Sequence, residues 1–551
     1  MCNNGTYVPH RGGSSAKDCV VCPRGTNQSK HAGFRACFCK NSYARTDRYG
    51  PCTLCEDEGL DCLQEFKSLL PGYYWNWNFQ KANVSNYKKF ITNLRVGGML
   101  INSHTSYTGN FPRIYKCPRE KSCPNSNGDI EGQCSDGYTG WLCSSCLPGY
   151  YAILNSCVRC PRKEVLIIEC GIFLSIFVAI CLLFARHINE HTKSRKKTRT
   201  VLDVVISRLK ILLGFYQVVG EIFSSLHEIN WTGPLVIIGT FISSLELNIL
   251  KIFVRPRCFS EDLVVNPKTE FIIGVSCPVL IILTLLVVYQ LKKIYLSYKY
   301  YLCCTKNSRS SNCDSLRIQL CTCGLVLQFL FYPPICSIIF QMYPGACRTF
   351  YFDKTENYPT TRLRSDYDIV CENMSIYHTC AYVFTVIYVI AFPIILLYLL
   401  WTNIPCRPSR LNRSERRCCS LQGGEFINNY QDISLTRNSG DEDFCLVPLW
   451  LNFLCENYKR EYWFWEIIEL CRKVTQTFLI TLYGWEDQLT VLLTTCISVL
   501  FLLLHAWHRP MQEPYEQRLQ VTMYRVYRDH VIIYRNNGNK FYAHCVKLPS
   551  M

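Results

Sequence analysis

The apolar residues of this chain are gathered in blocks, and the blocks begin only after residue 162. Runs of about twenty mostly apolar residues predict helices long enough to cross a bilayer. These runs lie near 165–185, 234–254, 271–290, 319–340, 379–401, 462–483 and 488–507. Residues 1–161 have no comparable run and hold fifteen of the 36 cysteines. The pattern predicts a small disulfide-rich β ectodomain followed by an all-α multi-pass membrane bundle at 162–508.

The stretch SRLKILLGFYQVVGEIFSSLHE, residues 207–228, is apolar but carries a regular polar or small stripe. A spacing of 3, 4, 3, 4, 3 and 4 residues predicts one face of an amphipathic helix. The helix could lie in the inner membrane interface, re-enter the membrane beside a wet cavity, or cross it. We favour the first placement. The stripe consists of Ser207, Lys210, Gly214, Gln217, Glu221, Ser224 and Glu228.

The formal net charge of +17 would suit a nucleic-acid partner, but Lys and Arg cluster in short loops beside the apolar blocks. Such loops are typical of the cytoplasmic side of a membrane. If 207–254 crosses once, the inner loops carry 18 cations and the outer loops seven; if it crosses twice, the count is thirteen against twelve. We therefore expect seven spans in a plasma membrane, an extracellular amino terminus, a basic cytoplasmic tail at 509–551, and no nucleic-acid partner.

Four cysteine pairs with two intervening residues stand in the first part of the chain, as CVVC, CTLC, CSSC and CVRC. Such pairs hold zinc or form disulfides. The glycosylation sequons at Asn4, Asn27 and Asn83, and the membrane block that follows, favour disulfides in an oxidising compartment. We expect no metal and no other cofactor. The acidic loop 341–378 is predicted to face outward, with a further sequon at Asn373 and a possible bridge between Cys347 and Cys371.

Two stretches resemble known extracellular modules. CNNGTYVPHRGGSSAKDCVVCPRGTNQSKHAGFRACFC, at 2–39, resembles the ephrin-receptor-like cysteine-rich repeat, which we place at 1–62. CSDGYTGWLCSSCLPGYYAILNSCVRC, at 134–160, resembles an EGF-like unit without the acidic signature of calcium-binding versions, within a module at 117–161. Residues 63–116 fit neither pattern and are expected to form a small folded insert. The resemblances imply the bridges Cys2–Cys19, Cys22–Cys37, Cys39–Cys52, Cys134–Cys143 and Cys146–Cys157.

Fifteen cysteines cannot all pair with one another. The sequence MCNNGTY has neither the basic start nor the apolar core of a signal peptide, so we expect residues upstream of it. The partner of the fifteenth cysteine would then lie upstream or in an outer loop, for example at Cys258. In proteins with similar repeats we would expect more membrane sequence beyond RPM, whereas this chain ends in the basic stretch RVYRDHVIIYRNNGNKFYAHCVKL, so we expect further sequence there as well.

A second polar stripe occurs in EYWFWEIIELCRKVTQTF, at 461–478. Only twelve residues, 474–485, separate Lys473 from the acidic turn at Glu486, too few to span a bilayer. A crossing must therefore begin near Tyr462 and draw the stripe into the inner leaflet. Glu469 can pair with a cation one turn away, so we interpret the stripe as paired polar contacts between helices, with conduction or gating as the alternative. The stripe contains Glu466, Glu469, Arg472, Lys473 and Gln476.

The order KILLGFYQVV, FYPP, RSDYDIVC, AFPIILLYLLW and YWFWEIIELCRK before WHRPM resembles the membrane region of multi-pass surface proteins with ephrin-receptor-like repeats. That region is loosely similar to the TRP-like membrane domain. No kinase signature or nucleophile elbow is present, so we expect no enzyme. We favour a receptor or adhesion protein that binds an unknown extracellular protein or glycan. The alternative is a channel or transporter whose path is lined around Glu221 and Glu469.

Overall fold

The protein, described by a computed structural model, has a region of short disulfide-linked strands followed by long helices. Residues 163–179 of the first predicted span are helical wherever they are described. The segment 234–254 lies outside the described residues, and so do Gln217 and Glu221. Apart from a few isolated positions, the structure describes residues 2–9, 13–30, 37–78, 81–95, 105–124, 130–153, 156–179, 207–214, 256–260, 265–303, 308–403, 449–484, 488–531, 534–536 and 540–542.

The cysteine-rich region is a chain of small antiparallel hairpins. Each pair is too short to be stable alone, since an isolated two-stranded hairpin is marginal in water. The strands are β1 (Thr6–Tyr7), β2 (Val20–Val21), β3 (Tyr43–Ala44), β4 (Thr53–Leu54), β5 (Leu60–Asp61), β6 (Ser68–Leu69), β7 (Tyr73–Tyr74), β8 (Tyr115–Lys116), β9 (Tyr138–Thr139), β10 (Ser145–Cys146), β11 (Tyr150–Ile153) and β12 (Ser156–Arg159).

Disulfides supply the stability that these hairpins lack, because they constrain the unfolded chain. All six bridges named from the sequence are present, including Cys347–Cys371 in the later loop. Cys55–Cys62 and Cys117–Cys123 are two further local bridges. The fifteenth cysteine is Cys160, and it pairs with Cys258 across 98 residues of sequence. The amino-terminal region is thus tied covalently to the loop that precedes the next long helix.

The insert at 63–116 folds around one helix, α1 (Lys81–Arg95). Six of its nine buried core residues are aromatic, and Trp75 and Trp77 both donate their indole N–H to the Ile130 carbonyl, at 2.7 and 2.9 Å. The ectodomain is therefore not purely β as predicted, since an aromatic core gives a single amphipathic helix enough apolar surface to bury. The core contains Phe66, Leu69, Trp75, Trp77, Tyr87, Phe90, Ile91, Leu94 and Tyr107.

The second part is built from long helices. A short turn of helix at Pro256–Phe259 precedes them, and a π-helix at Thr385–Ile390 joins two of them. The π-helix frees the Val389 carbonyl, which accepts the Tyr332 hydroxyl at 2.5 Å. The helices are α2 (Pro267–Cys303), α3 (Ser308–Gln341), α4 (Ser375–Phe384), α5 (Ala391–Asn403), α6 (Leu449–Cys455), α7 (Trp465–Tyr483), α8 (Gln488–His508) and α9 (Pro514–Val531).

Three of the described helical segments are long and apolar enough to cross a membrane: Pro267–Tyr295, Leu316–Gln341 and Ser375–Asn403. A shorter apolar segment covers Leu492–His508. The predicted span at 462–483 is a helix, α7, but its four charged residues keep it outside this group. The structure therefore supports a helical part with three candidate spans, and the count of seven stays a prediction.

Where the helices meet, they share one apolar core. Residues of α3, α5 and α7 interlock there, including Ile339, Leu400 and Leu470, each fully buried. On α2, α4 and α5, by contrast, many large apolar side chains are exposed. An exposed apolar surface of this extent is suited to lipid rather than to water.

A three-stranded antiparallel sheet interrupts the helical part between α3 and α4. The prediction of an all-α membrane part is thus wrong for this segment. Phe350 and Leu363 of the sheet are buried, and the Cys347–Cys371 bridge joins the start of its first strand to the residue after its last. Its strands are β13 (Cys347–Tyr351), β14 (Pro359–Leu363) and β15 (Asp366–Val370). A last hairpin is formed by β16 (Tyr534–Asn536) and β17 (Lys540–Tyr542).

The cysteine-rich region docks on this sheet. The Asp368 carboxylate accepts the Trp141 backbone N–H at 2.9 Å and the Ser145 hydroxyl at 2.6 Å. The Trp141 ring packs against Phe350 and lies under the Arg362 guanidinium, 4.3 Å from its carbon. Gly140 has φ +80°, and a Cβ there would lie 2.2 Å from the Asp368 carboxylate. The close approach therefore requires glycine.

Further contacts extend the docked surface. The Tyr115 hydroxyl donates to the Tyr351 carbonyl at 2.9 Å and accepts the Tyr351 N–H at 2.6 Å. The Arg113 guanidinium lies 2.5 Å from Glu356. Both charged side chains of that last pair are well exposed, so it adds little stability. The buried aromatic contacts and the two bonds to Asp368 define the interface.

Candidate functional site

The best candidate site is a group of ionisable side chains buried along one face of α7. We call Lys210, Glu466, Glu469, Arg472, Lys473 and His505 the α7 charge cluster. The stripe spacing that predicted one helix face is observed, and the face is turned inward: Glu466 and Glu469 are each 3% exposed, and Arg472 and Lys473 each 7%. Charges are buried in proteins when they are paired, ligated or functional.

Glu466 links α7 to the helical segment at 207–214. Its Oε2 lies 2.7 Å from the Lys210 ammonium and accepts the Tyr458 hydroxyl at 2.9 Å. Lys210 also donates to the Phe453 carbonyl at 3.1 Å and lies 4.4 Å from the centre of that ring. This pair therefore joins three segments of the chain at one point.

Glu469 is the centre of the α7 charge cluster. Its Oε2 accepts the Arg472 Nε–H at 3.0 Å, one turn along the same helix. Its Oε1 lies 2.6 Å from His505 Nε2 on α8 and accepts the hydroxyl of Tyr524 on α9. One carboxylate thus joins α7, α8 and α9, with partners for both of its oxygens.

The cluster continues across to α8 through neutral polar groups. Arg472 donates to the Gln476 side-chain carbonyl at 2.6 Å, and Gln476 donates to the Ser498 hydroxyl at 2.9 Å. Trp465 directs its indole N–H toward His505 Nε2, at 2.9 Å. His505 Nε2 carries either a proton or a lone pair. We assign it a proton, which it donates to Glu469, the shorter of its two contacts. Polar contacts of this kind hold membrane helices together.

Lys473 differs from the other members of the cluster. Among the residues that the structure describes, no carboxylate lies within 4.0 Å of its ammonium and no hydrogen-bond acceptor receives its protons. Its Nζ lies 5.9 Å from the centre of the Phe329 ring and close to Gly214, where an added Cβ would be 2.3 Å from it. The described cluster holds three fixed cations against two carboxylates, so one positive charge is left over.

A pocket opens beside this excess charge. Lys210, Gly214, Lys473, Asn457 and Gln520 contribute to its wall. The α7 carboxylates, Arg472, Tyr458 and Tyr524 form the rest of its polar lining. The pocket is thus a polar cavity with a net positive wall between the segment at 207–214, α7 and α9.

The direction of α7 gives the depth of this pocket. The Tyr483 carbonyl, at the end of α7, accepts the Arg364 guanidinium from the sheet side at 2.5 Å. At 1.5 Å per residue, Lys473 lies about 15 Å and Glu466 about 26 Å from that end. The cluster therefore occupies the half of α7 remote from the sheet and from the docked ectodomain.

The structure brings together most of the polar residues singled out from the sequence. Glu466, Glu469, Arg472 and Lys473 share one face with Lys210, whereas Gln217 and Glu221 lie outside the described residues. Sequence reasoning missed His505, Tyr458 and Tyr524. An ionisable residue inside an apolar run could have pointed to the histidine. Nothing local marks the two tyrosines, because they reach the cluster only through the folding of α9 and the loop before α7.

The predicted surface sites are also placed. Asn4 and Asn373 are exposed, and Asn27 and Asn83 are half-buried. Asn27 uses its side-chain oxygen to accept the Ser29 hydroxyl at 2.6 Å. Within the described parts of the chain, no group of three or more His, Cys, Asp or Glu residues is arranged to hold a metal ion.

Comparison with known proteins gives one match. Residues 114–161 match the family model "Domain of unknown function (DUF7630)". The matched range overlaps the module at 117–161 that was compared with an EGF-like unit. No curated protein and no solved structure matches the chain.

Proposed function

We propose that the chain is a multi-pass cell-surface protein of receptor type, whose cysteine-rich region binds an extracellular protein or glycan. The observation that carries the proposal is the docking of that region on β13–β15. The sheet follows α3 and leads into α4, both within candidate spans. A ligand that shifts the docked region would therefore shift two helices directly.

The disulfide framework supports the proposed topology. A bridge between Cys160 and Cys258 requires both cysteines to lie in the oxidising compartment, on one side of the membrane. The chain between them must then cross an even number of times. One crossing by the first apolar block and one by 207–254 meet this condition, whereas three crossings do not. Contact between the cysteine-rich region and the sheet is consistent with the same outer side.

Tag accessibility tests this topology on the full chain in intact cells. We expect antibody to reach a tag before residue 2 without permeabilisation, and a tag after residue 551 only after permeabilisation. An exposed carboxyl-terminal tag would contradict the arrangement, because the chain would then have to cross the membrane an odd number of times after α5 instead of twice.

Recognition is tested with the full chain in nanodiscs, on a printed glycan array and on a panel of purified extracellular proteins. A ligand should slow hydrogen exchange in β13–β15 and at the sheet ends of α3 and α4. Asp368→Ala should retain ligand binding but reduce the change in the helices, because the variant loosens the docking contact. Absence of any ligand, or binding that leaves the helices unchanged, would argue against a receptor role.

A channel or transporter is the second candidate, and the pocket beside Lys473 favours it. Polar residues that face a cavity inside a helical bundle are typical of ion pathways. Whole-cell current recordings on the full chain decide between the two. A robust current that changes in Glu221→Ala or Lys473→Met would favour the channel over the receptor. Absence of current in wild type and in both variants would support the receptor proposal.

A further inference from the structure

Lys473 is a buried cation whose counter-charge is not among the described residues. Its side chain is 7% exposed, and no carboxylate or hydrogen-bond acceptor contacts its ammonium there. Burying an ammonium without a partner is costly, and proteins avoid it by adding a counter-ion or a ligand. Lys473 nevertheless contributes to the wall of the pocket.

The neighbouring charges of the pocket are already engaged with one another. Glu466 accepts from Lys210 and Tyr458, and Glu469 accepts from Arg472, His505 and Tyr524. Neither carboxylate is within ion-pairing distance of Lys473. Lys210 uses two of its three protons, on Glu466 and on the Phe453 carbonyl. The wall therefore has ammonium protons to offer and no spare carboxylate to receive them.

We propose that this pocket binds a phosphate group, held by Lys473 and assisted by Lys210. Basic pockets between membrane helices on the cytoplasmic side suit the head groups of anionic lipids. A soluble phosphate compound offers the same chemistry through the open side. The site lies in the half of the bundle remote from the docked ectodomain. Because its wall is formed by the segment at 207–214, α7 and α9, a ligand there would hold these three elements together.

The competing occupant is a carboxylate of the chain itself. The stripe spacing puts Glu221 on the same helix face as Lys210 and Gly214. If Glu221 neutralises Lys473, the wild-type pocket has no need of an anion. The test must therefore separate these two partners.

The experiment uses the purified full chain in phosphatidylcholine nanodiscs. One arm titrates inorganic phosphate, and the other compares these nanodiscs with nanodiscs that also contain phosphatidylinositol bisphosphate. We expect Lys473→Met to weaken binding about 10- to 100-fold, the effect of losing a charge-assisted hydrogen bond. Arg208→Gln is the matched control, because Arg208 is exposed on the segment at 207–214 and its substitution also removes one positive charge. Its affinity should equal that of wild type.

Gly214→Ala is the second variant, and it retains every charge. A Cβ at this position would lie 2.3 Å from Lys473 Nζ, so the ammonium must move. We expect binding to weaken severalfold without loss of folding, since the displaced atom ends a flexible chain. Lys473→Met should also fold, because it removes an unpaired buried charge.

Phosphate binding in plain phosphatidylcholine would identify a soluble ligand, and binding only with the bisphosphate lipid would identify a lipid ligand. Both results support the site if Lys473→Met loses them and Arg208→Gln retains them. Equal affinity of wild type and Lys473→Met would overturn the proposal. It would also be overturned if wild type bound neither probe while Glu221→Gln gained binding, because Glu221 would then be the partner of Lys473.

Discussion

Glu469 is the residue whose loss should damage the helical part most. Replacing it with Gln keeps the size of the side chain but removes the carboxylate with which the buried Arg472 forms an ion pair. The amide retains one oxygen for the donors from Arg472, His505 and Tyr524, and turns an NH₂ group toward them. Breaking a buried ion pair by removing one partner costs about 3–5 kcal/mol. We expect the lower end, about 3 kcal/mol, because one acceptor remains.

Thermal unfolding in detergent measures this loss, with a dye that becomes fluorescent on reacting with thiols. Cys336 is a fully buried free thiol and reports the opening of the core. A loss of about 3 kcal/mol corresponds to a midpoint about 6–12 °C lower at the sensitivity of a medium-sized domain. Glu461→Gln is the control, since Glu461 is exposed just before α7 and should leave the midpoint unchanged.

A double variant tests the cause of the effect. Glu469→Leu with Arg472→Met removes both charges, and exchange of a whole buried pair for apolar residues is often neutral. The double variant should therefore unfold at a higher temperature than Glu469→Gln alone. If Glu469→Gln matches the Glu461→Gln control, or the double variant is no better than the single one, the cluster does not stabilise the bundle through charge pairing.

Three further predictions concern the ectodomain. Asp368→Ala should cost about 1 kcal/mol of stability, because its two hydrogen bonds are partly solvent-exposed, and hydrogen exchange at residues 138–147 should become faster. Glu372→Ala, at an exposed neighbouring position, should leave the exchange rate unchanged. Equal exchange rates in Asp368→Ala and wild type would argue against docking. Cys258→Ser should free Cys160, which labels with a membrane-impermeant thiol reagent on intact cells only if both lie outside. Burial raises the pKa of Tyr107 from 10.0 to about 12. The stability that the buried, protonated hydroxyl contributes is therefore complete below pH 10 and should be lost as the pH rises through about 12. Tyr107→Phe should remove that part of the alkaline unfolding transition, and an unchanged transition in this variant would contradict the prediction.

The sequence indicated the order of parts because covalent and solvent constraints act locally. Resemblance to known cysteine-rich modules implied five of the bridges, a sixth was suggested within the loop 341–378, and apolar runs indicated where the long helices lie. The stripe at 466–476 was visible because a helix repeats every 3.6 residues. The sheet at 347–370 was missed, since its short strands are neither strictly alternating nor apolar throughout.

The chemistry of the α7 charge cluster was decided by the fold. Spacing along one helix allowed Glu469 to pair with either Arg472 or Lys473, and both lie one turn away. In the structure, contacts from α8 and α9 bring His505 and Tyr524 to the carboxylate and direct it toward Arg472, which leaves Lys473 facing the pocket. Pairing between distant segments cannot be read from local spacing, because it depends on which faces the packing brings together.

By itself, the sequence determined that one part of the chain is held together by disulfides and the other by apolar helices. Hydrophobic periodicity and cysteine spacing are local properties of the chain, so they can be read from the sequence without a structure. The tertiary structure decided that Cys160 pairs with Cys258 rather than with an upstream cysteine, that Trp141 rests on the sheet beside Asp368, and that no carboxylate among the described residues forms an ion pair with the buried Lys473. Each of these depends on contacts between segments far apart in the chain, whose free energy is set by packing and burial.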